Sequence, residues 1–156
     1  MKTIKHAIEL PINQTALFDL TQDYKKRLEW DSYLAKAYLM NDAQHPAVGV
    51  ESFCQNKTGA IMISRYISFH RPDVAAVTMV KGSYILKRFS GAWTVKKIDD
   101  QNSLLIFTYN FELKGGLLGK LLLPLISHLF SKDMEKRLIA IKIYIDKKYK
   151  KTAYHC

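Results

Sequence analysis

Residues 3–10 alternate, with Ile4, His6, Ile8 and Leu10 on one face and Lys5, Ala7 and Glu9 on the other. A period of two predicts a half-buried strand, and Pro11 ends it. Asn13 is placed to cap a short helix running to Leu20, and Asp23 to cap a second running to about Glu29. A turn at Asp31-Ser32 leads to a strand over residues 33–40. After the turn-rich residues 41–46, strands at 47–55 and 60–69 flank the loop 56–59, a hairpin by its punctuation. Pairing Gln55 with Ala60 would set Val50 opposite Arg65 and Ser52 opposite Ile63. Arg65 would then share a face with Ile61, Ile63 and Ile67.

Pro72 opens the next connection, and residues 74–80 are apolar enough for a central strand. Strands at 87–98 and 103–113 form a second hairpin around residues 99–102. With Ile98 facing Leu104, Trp93 falls opposite Tyr109, Val95 opposite Phe107 and Gly91 opposite Phe111. Phe89, Gly91, Trp93 and Val95 then join Phe107, Tyr109, Phe111 and Leu113 on one aromatic surface.

The period changes in the last stretch, residues 115–151. Phe130, Met134, Leu138, Ile141 and Ile145 recur every three or four residues, one apolar stripe of a helix. About 25 residues of helix from Pro124 onward would span roughly 37 Å, enough to cross a small domain. Short antiparallel strands cannot bury one face without a partner, and this helix is the only element large enough to cover them. The expected fold class is α+β: a curved antiparallel sheet of about seven strands, two short helices, and a long C-terminal helix across the concave face. Residues 1–156 read as a single domain.

The charge changes the picture at one end. Lys plus Arg number 24 against 14 Asp plus Glu, a net +10. From Lys132 onward eight are basic (132, 136, 137, 142, 147, 148, 150, 151) and three acidic (133, 135, 146). The plain reading is a solvated helix face with a basic tail; the sharper one is a patch for an anionic membrane surface, or for RNA or the ribosome. Cys54 and Cys156 have no metal-ligand spacing, no apolar leader opens the chain, and no run is long enough to span a bilayer. These features read as a reduced, cytoplasmic protein, a monomer or weak homodimer.

Candidate chemistry is sparse. His6 lies mid-strand among Ile4, Ile8 and Leu10, where a histidine with one partner is the ordinary expectation. Arg65, turned toward isoleucines, calls for an anion: Glu51, Asp31, another carboxylate, or an acidic ligand. There is no nucleophile-base-acid order, no paired carboxylates, no metal-ligand pair and no phosphate loop. No catalytic residue, metal or cofactor is assigned.

Glu9-Leu10-Pro11, Ala16-Leu17-Phe18-Asp19-Leu20 and Leu28-Glu29-Trp30-Asp31 together resemble the opening of bacterial polyketide cyclase/dehydrase-like proteins. His70-Arg71-Pro72 before Val74-Ala75-Ala76, Phe89-Ser90-Gly91-Ala92-Trp93, and Lys114-Gly115-Gly116-Leu117-Leu118-Gly119 follow at the matching places. The chain thus resembles the START-like (SRPBCC, helix-grip) superfamily over nearly its whole length. The resemblance implies a cavity between sheet and helix that accepts a small hydrophobic ligand, lipid or polyketide-like. A curved sheet under one helix would line it with Trp93, Phe107, Tyr109 and Phe53 or Tyr66; Phe89, Phe111, Arg65, Met134 and Leu138 complete the expected lining. Residues 117–126, apolar nearly all round, read either as a buried plug at the cavity end or as a membrane-touching lid (Leu117, Leu118, Leu121, Leu122) flanked by Lys114 and Lys120. Pro124 should kink or restart the helix there. Ile139 and Ile143 point away from the main stripe, toward the small helices or a second protomer. Besides ligand binding, the superfamily offers two alternatives: a ribosome- or RNA-associated protein using the basic helix, and an aromatase/cyclase-type enzyme.

Overall fold

In the computed structural model the chain is described over residues 1–153, with side chains through residue 149. Cys156 and the Lys150 and Lys151 side chains of the basic tail lie outside the described residues. The order is β1 (Lys2–Leu10), α1 (Gln14–Gln22), α2 (Arg27–Trp30), β2 (Leu34–Leu39), β3 (Glu51–Asn56), β4 (Ile61–His70), β5 (Val74–Lys81), β6 (Leu86–Lys97), β7 (Ser103–Leu113) and α3 (Gly116–Ala153). Seven antiparallel strands form one sheet in the order β1-β7-β6-β5-β4-β3-β2. Strands β2 to β7 meander, and β1 closes against β7 because the two small helices carry the chain across. Register shifts in β2/β3, β4/β5 and β6/β7 are where such a sheet bends and curls.

Both hairpins form, each in a different register from the one the pattern suggested. Asn56 turns its amide oxygen inward to accept from the backbone N–H of Thr58 and Ala60, and Gly59 takes the left-handed conformation. That closes a three-residue loop, so Gln55 pairs with Ile61 and Arg65 with Glu51. The slip is one residue, and it moves Arg65 to the outer face. In the second hairpin Asp99 accepts from Gln101 N–H and from the Asn102 amide, and the ladder begins at Lys97 with Ser103. Trp93 therefore faces Phe107 and Gly91 faces Tyr109. A slip of two leaves the aromatic face intact.

Asn13 caps α1, accepting from Ala16 N–H at 2.9 Å. Helix α1 packs on β6 and β7, and α3 packs on β1 and β7. Met134, Leu138, Ile141 and Ile145 of α3 are buried with Leu10, Leu17, Phe18, Val95, Leu105 and Phe107. Pro124 does not divide α3, whose helical assignment runs unbroken through it; the ring sits on the exposed side. Ile139 and Ile143 are exposed. The small helices meet α3 through other residues, Tyr144 donating to Glu29 at 2.8 Å and Arg137 donating to Asp31.

The start of α3 is held closely against the end of β7. Gly115 takes φ +94°, and a Cβ on Gly119 would lie 2.4 Å from the Lys114 carbonyl oxygen. Lys114 is itself fixed by its N–H to Ile85 O at 2.8 Å. Alanine normally favours a helix over glycine by about 1 kcal/mol. Here Gly119→Ala is expected to lower stability by about 1–3 kcal/mol, the overpacking range, in chemical denaturation.

Candidate functional site

The inner face of the sheet is unevenly filled. Under α3 and α1 it carries Trp93, Val95, Leu105 and Phe107. Further along, β3, β4 and β5 present Ser52, Cys54, Ser64, Ala75 and Val77, side chains too small to fill the space beneath them. The result is a cavity of about 530 Å³. Its floor is those small residues with Met62 and Tyr66; its aromatic wall is Phe89, Trp93, Phe107 and Tyr109; Leu129, Phe130, Asp133 and Arg137 of α3 form one side. A more open hollow of about 810 Å³ lies beyond Gln22 and Tyr24, between α1 and the loop at residues 42–46. Tyr66 Oη donates to Gln22 Oε1 at 2.7 Å in the wall between the two.

At the inner end of the cavity is a buried charged cluster. Asp31 follows α2, with its side chain fully enclosed, and Arg27 and Arg137 are 5% and 6% exposed. Arg27 Nε donates to Asp31 Oδ2 at 2.9 Å, and Arg137 Nη2 to the same oxygen at 2.8 Å. Arg137 Nε lies 3.2 Å from each carboxylate oxygen, and Tyr33 N–H donates to Oδ1 at 3.3 Å. Arg137 Nη1 donates to Tyr109 Oη at 2.7 Å, and Arg27 Nη1 to the Thr21 carbonyl at 3.0 Å. Burial by itself would push the Asp31 carboxyl up; the two guanidinium groups outweigh it and hold the carboxyl at about 2. Burial pushes the Tyr109 phenol up to about 12, with Arg137 opposing.

Aromatic rings enclose both cations. Arg27 Cζ lies 4.9 Å from the Trp30 ring centroid and Arg137 Cζ lies 5.0 Å from that of Phe107, within cation–π range. Trp93 stacks on Phe107 with centroids 3.7 Å apart.

Of the residues expected from the sequence to line the cavity, Phe89, Trp93, Phe107 and Tyr109 do so. Phe111, Met134 and Leu138 are packed into the core instead, because their positions lie where α3 presses on β1 and β7. Arg65 is on the outer face, half exposed, donating to Glu51 Oε1 at 2.6 Å. The partner is a protein carboxylate, but the site is surface and not cavity. Phe53 is also on the outer face, stacked on Tyr38. His6 shares a 2.7 Å hydrogen bond with Ser131 Oγ, with Glu135 3.9 Å away. The apolar start of α3 is not a buried plug: Leu117, Leu118, Leu121 and Leu122 are exposed, Leu117 by 75%. Leu123, Ile126 and Phe130 of the same turns pack on Leu86, Phe89 and Phe111.

No family model matches the sequence, and no curated protein sequence does either. Solved structures do. The Zhui aromatase/cyclase from Streptomyces sp. R1128 superposes with a TM-score of 0.80 at 13% identity, covering 95% of each chain. A START superfamily protein from Mycobacterium smegmatis gives 0.72 at 10% identity, covering 93% of this chain and 97% of that one. This is a START-like helix-grip fold. Norcoclaurine synthase from Thalictrum flavum, in complex with dopamine and hydroxybenzaldehyde, gives 0.70 at 15% identity, covering 94% of this chain and 87% of that one. Among the described residues, no helix is long and apolar enough to cross a membrane.

The charged cluster is not evident from the sequence pattern. Arg137 reads as part of the basic tail, although it sits three residues after Met134 and four before Ile141, on the buried face of the helical period. Arg27 and Asp31 have the i,i+4 spacing of an ion pair. Nothing local joins them to Arg137, which is 106 residues beyond Asp31.

Proposed function

We propose that this protein binds a small hydrophobic ligand in the cavity between sheet and α3. The observation that carries the reading is the cavity itself, about 530 Å³, walled by Phe89, Trp93, Phe107 and Tyr109 over a floor of small side chains. Sites for drug-sized ligands run roughly 300–1,000 Å³, mostly apolar with a few convergent polar groups, and the lining fits that description. A helix-grip fold with Ser52, Ser64 and Ala75 where bulky core residues would otherwise stand gives up packing that such a small domain would otherwise use. Retaining a hollow there is consistent with an occupant.

Val77 faces the hollow from β5, opposite Gly91. Val77→Trp should fill much of the space and abolish ligand uptake while the protein still folds. Native mass spectrometry of protein purified from its own host, then a panel of fatty acids, sterols and polyketides against wild type and Val77→Trp, tests this. An empty wild-type protein that takes up nothing from the panel would refute the reading.

A further inference from the structure

We propose that the ligand of this cavity carries an acidic group, a carboxylate on an apolar body, bound at the inner end by Arg27. The proposal rests on the cavity being a ligand site. Three buried ionised groups meet there, two cations and one anion, so the cluster holds one positive charge in excess. Both Asp31 oxygens are already taken up by Arg27, Arg137 and Tyr33 N–H. Arg137 is committed through all three nitrogens to Asp31 and Tyr109.

Arg27 is not. Its Nε and Nη1 are used, on Asp31 and on the Thr21 carbonyl, while Nη2 has no hydrogen-bond partner among the described residues. Arg27 is nevertheless 5% exposed and lines the cavity. Nη2 is not among the fully enclosed polar atoms, so a guanidinium otherwise stripped of water keeps one donor open to an occupant. The carboxylate of Asp133, one turn before Arg137, also lines the cavity. It is half-buried, makes no ion pair among the described residues and accepts nothing from the cluster. The Trp30, Trp93 and Tyr24 rings, at 4.9, 5.6 and 5.8 Å from Arg27 Cζ, offset part of the charge. A planar carboxylate would take the free donor and neutralise the excess, with its apolar body along Phe89, Phe107 and Val77.

Hexadecanoic acid and its methyl ester distinguish the outcomes by isothermal titration calorimetry. Wild type is expected to bind the acid at least about tenfold more tightly than the ester, the worth of one charge-assisted hydrogen bond. Arg27→Met leaves Asp31 paired with Arg137, so the fold should survive, and the preference should fall to about one. Asp31→Asn frees both cations, so thermal melts should show a larger stabilisation by the acid than wild type shows. Equal binding of acid and ester by wild type overturns the acid anchor and leaves the cavity reading standing. An acid preference retained in Arg27→Met overturns Arg27 as the anchor. Uptake of neither probe by wild type overturns both readings for chains of this kind.

Discussion

Asp31→Asn is expected to cost about 3–5 kcal/mol in denaturant unfolding, the usual effect of removing one partner from a buried ion pair. The two guanidinium groups it joins are 5% and 6% exposed and cannot turn to water. Asparagine also presents N–H donors to groups that only donate, so it costs more than loss of charge alone. The wild type has a pH signature that separates the two effects. Asp31 stands at about 2 against an ordinary 3.8, so its folded value is depressed. The ionised form therefore contributes about 2 kcal/mol that is fully present above pH 4 and is lost as pH falls through about 2. The gap between wild type and Asp31→Asn should narrow over that window in acid titration followed by circular dichroism. A constant gap would mean that Asp31 stabilises by shape and not by charge.

Ile141→Ala, and Leu138→Ala beside it, should each cost about 2–5 kcal/mol, since deleting a buried aliphatic loses transfer energy and leaves a void. Ile141 has no exposed surface and Leu138 only 4%. Both belong to the main core with Leu10, Phe18, Leu105 and Phe107, and neither lines the hollow, so neighbours have little freedom to collapse into the space. Lys147→Ala, on the exposed side of the same helix, should change stability by less than about 0.5 kcal/mol. Similar losses at all three positions would place the core face of α3 wrongly. Denaturant midpoints at constant m-value make the comparison direct.

The periodicities carried most of the architecture. Alternation in residues 3–10, the positions of the loops at 56–59 and 99–102, and the stripe Met134, Leu138, Ile141, Ile145 each depend on neighbours within a few residues, so they are legible in a single chain. The aromatic face shared by Phe89, Trp93, Phe107 and Tyr109 was legible for the same reason. A register error of two preserves which side of a pleated strand a residue faces.

What the sequence alone determined was therefore the set of elements and which of their faces are apolar. The tertiary structure decided which polar residues those faces accept. An error of one residue in the β3–β4 loop moves Arg65 from the inner face to the outer, where Glu51 meets it. Arg137 becomes a core residue only because Asp31, 106 positions earlier, is carried to the same point by α2. The cavity too is tertiary, since Ser52, Ser64 and Ala75 leave a hollow only once three adjacent strands set them side by side across from α3. Local spacing encodes periodicity. Charge balance and empty volume are sums over segments distant in the chain, and they exist only after the sheet has closed around them.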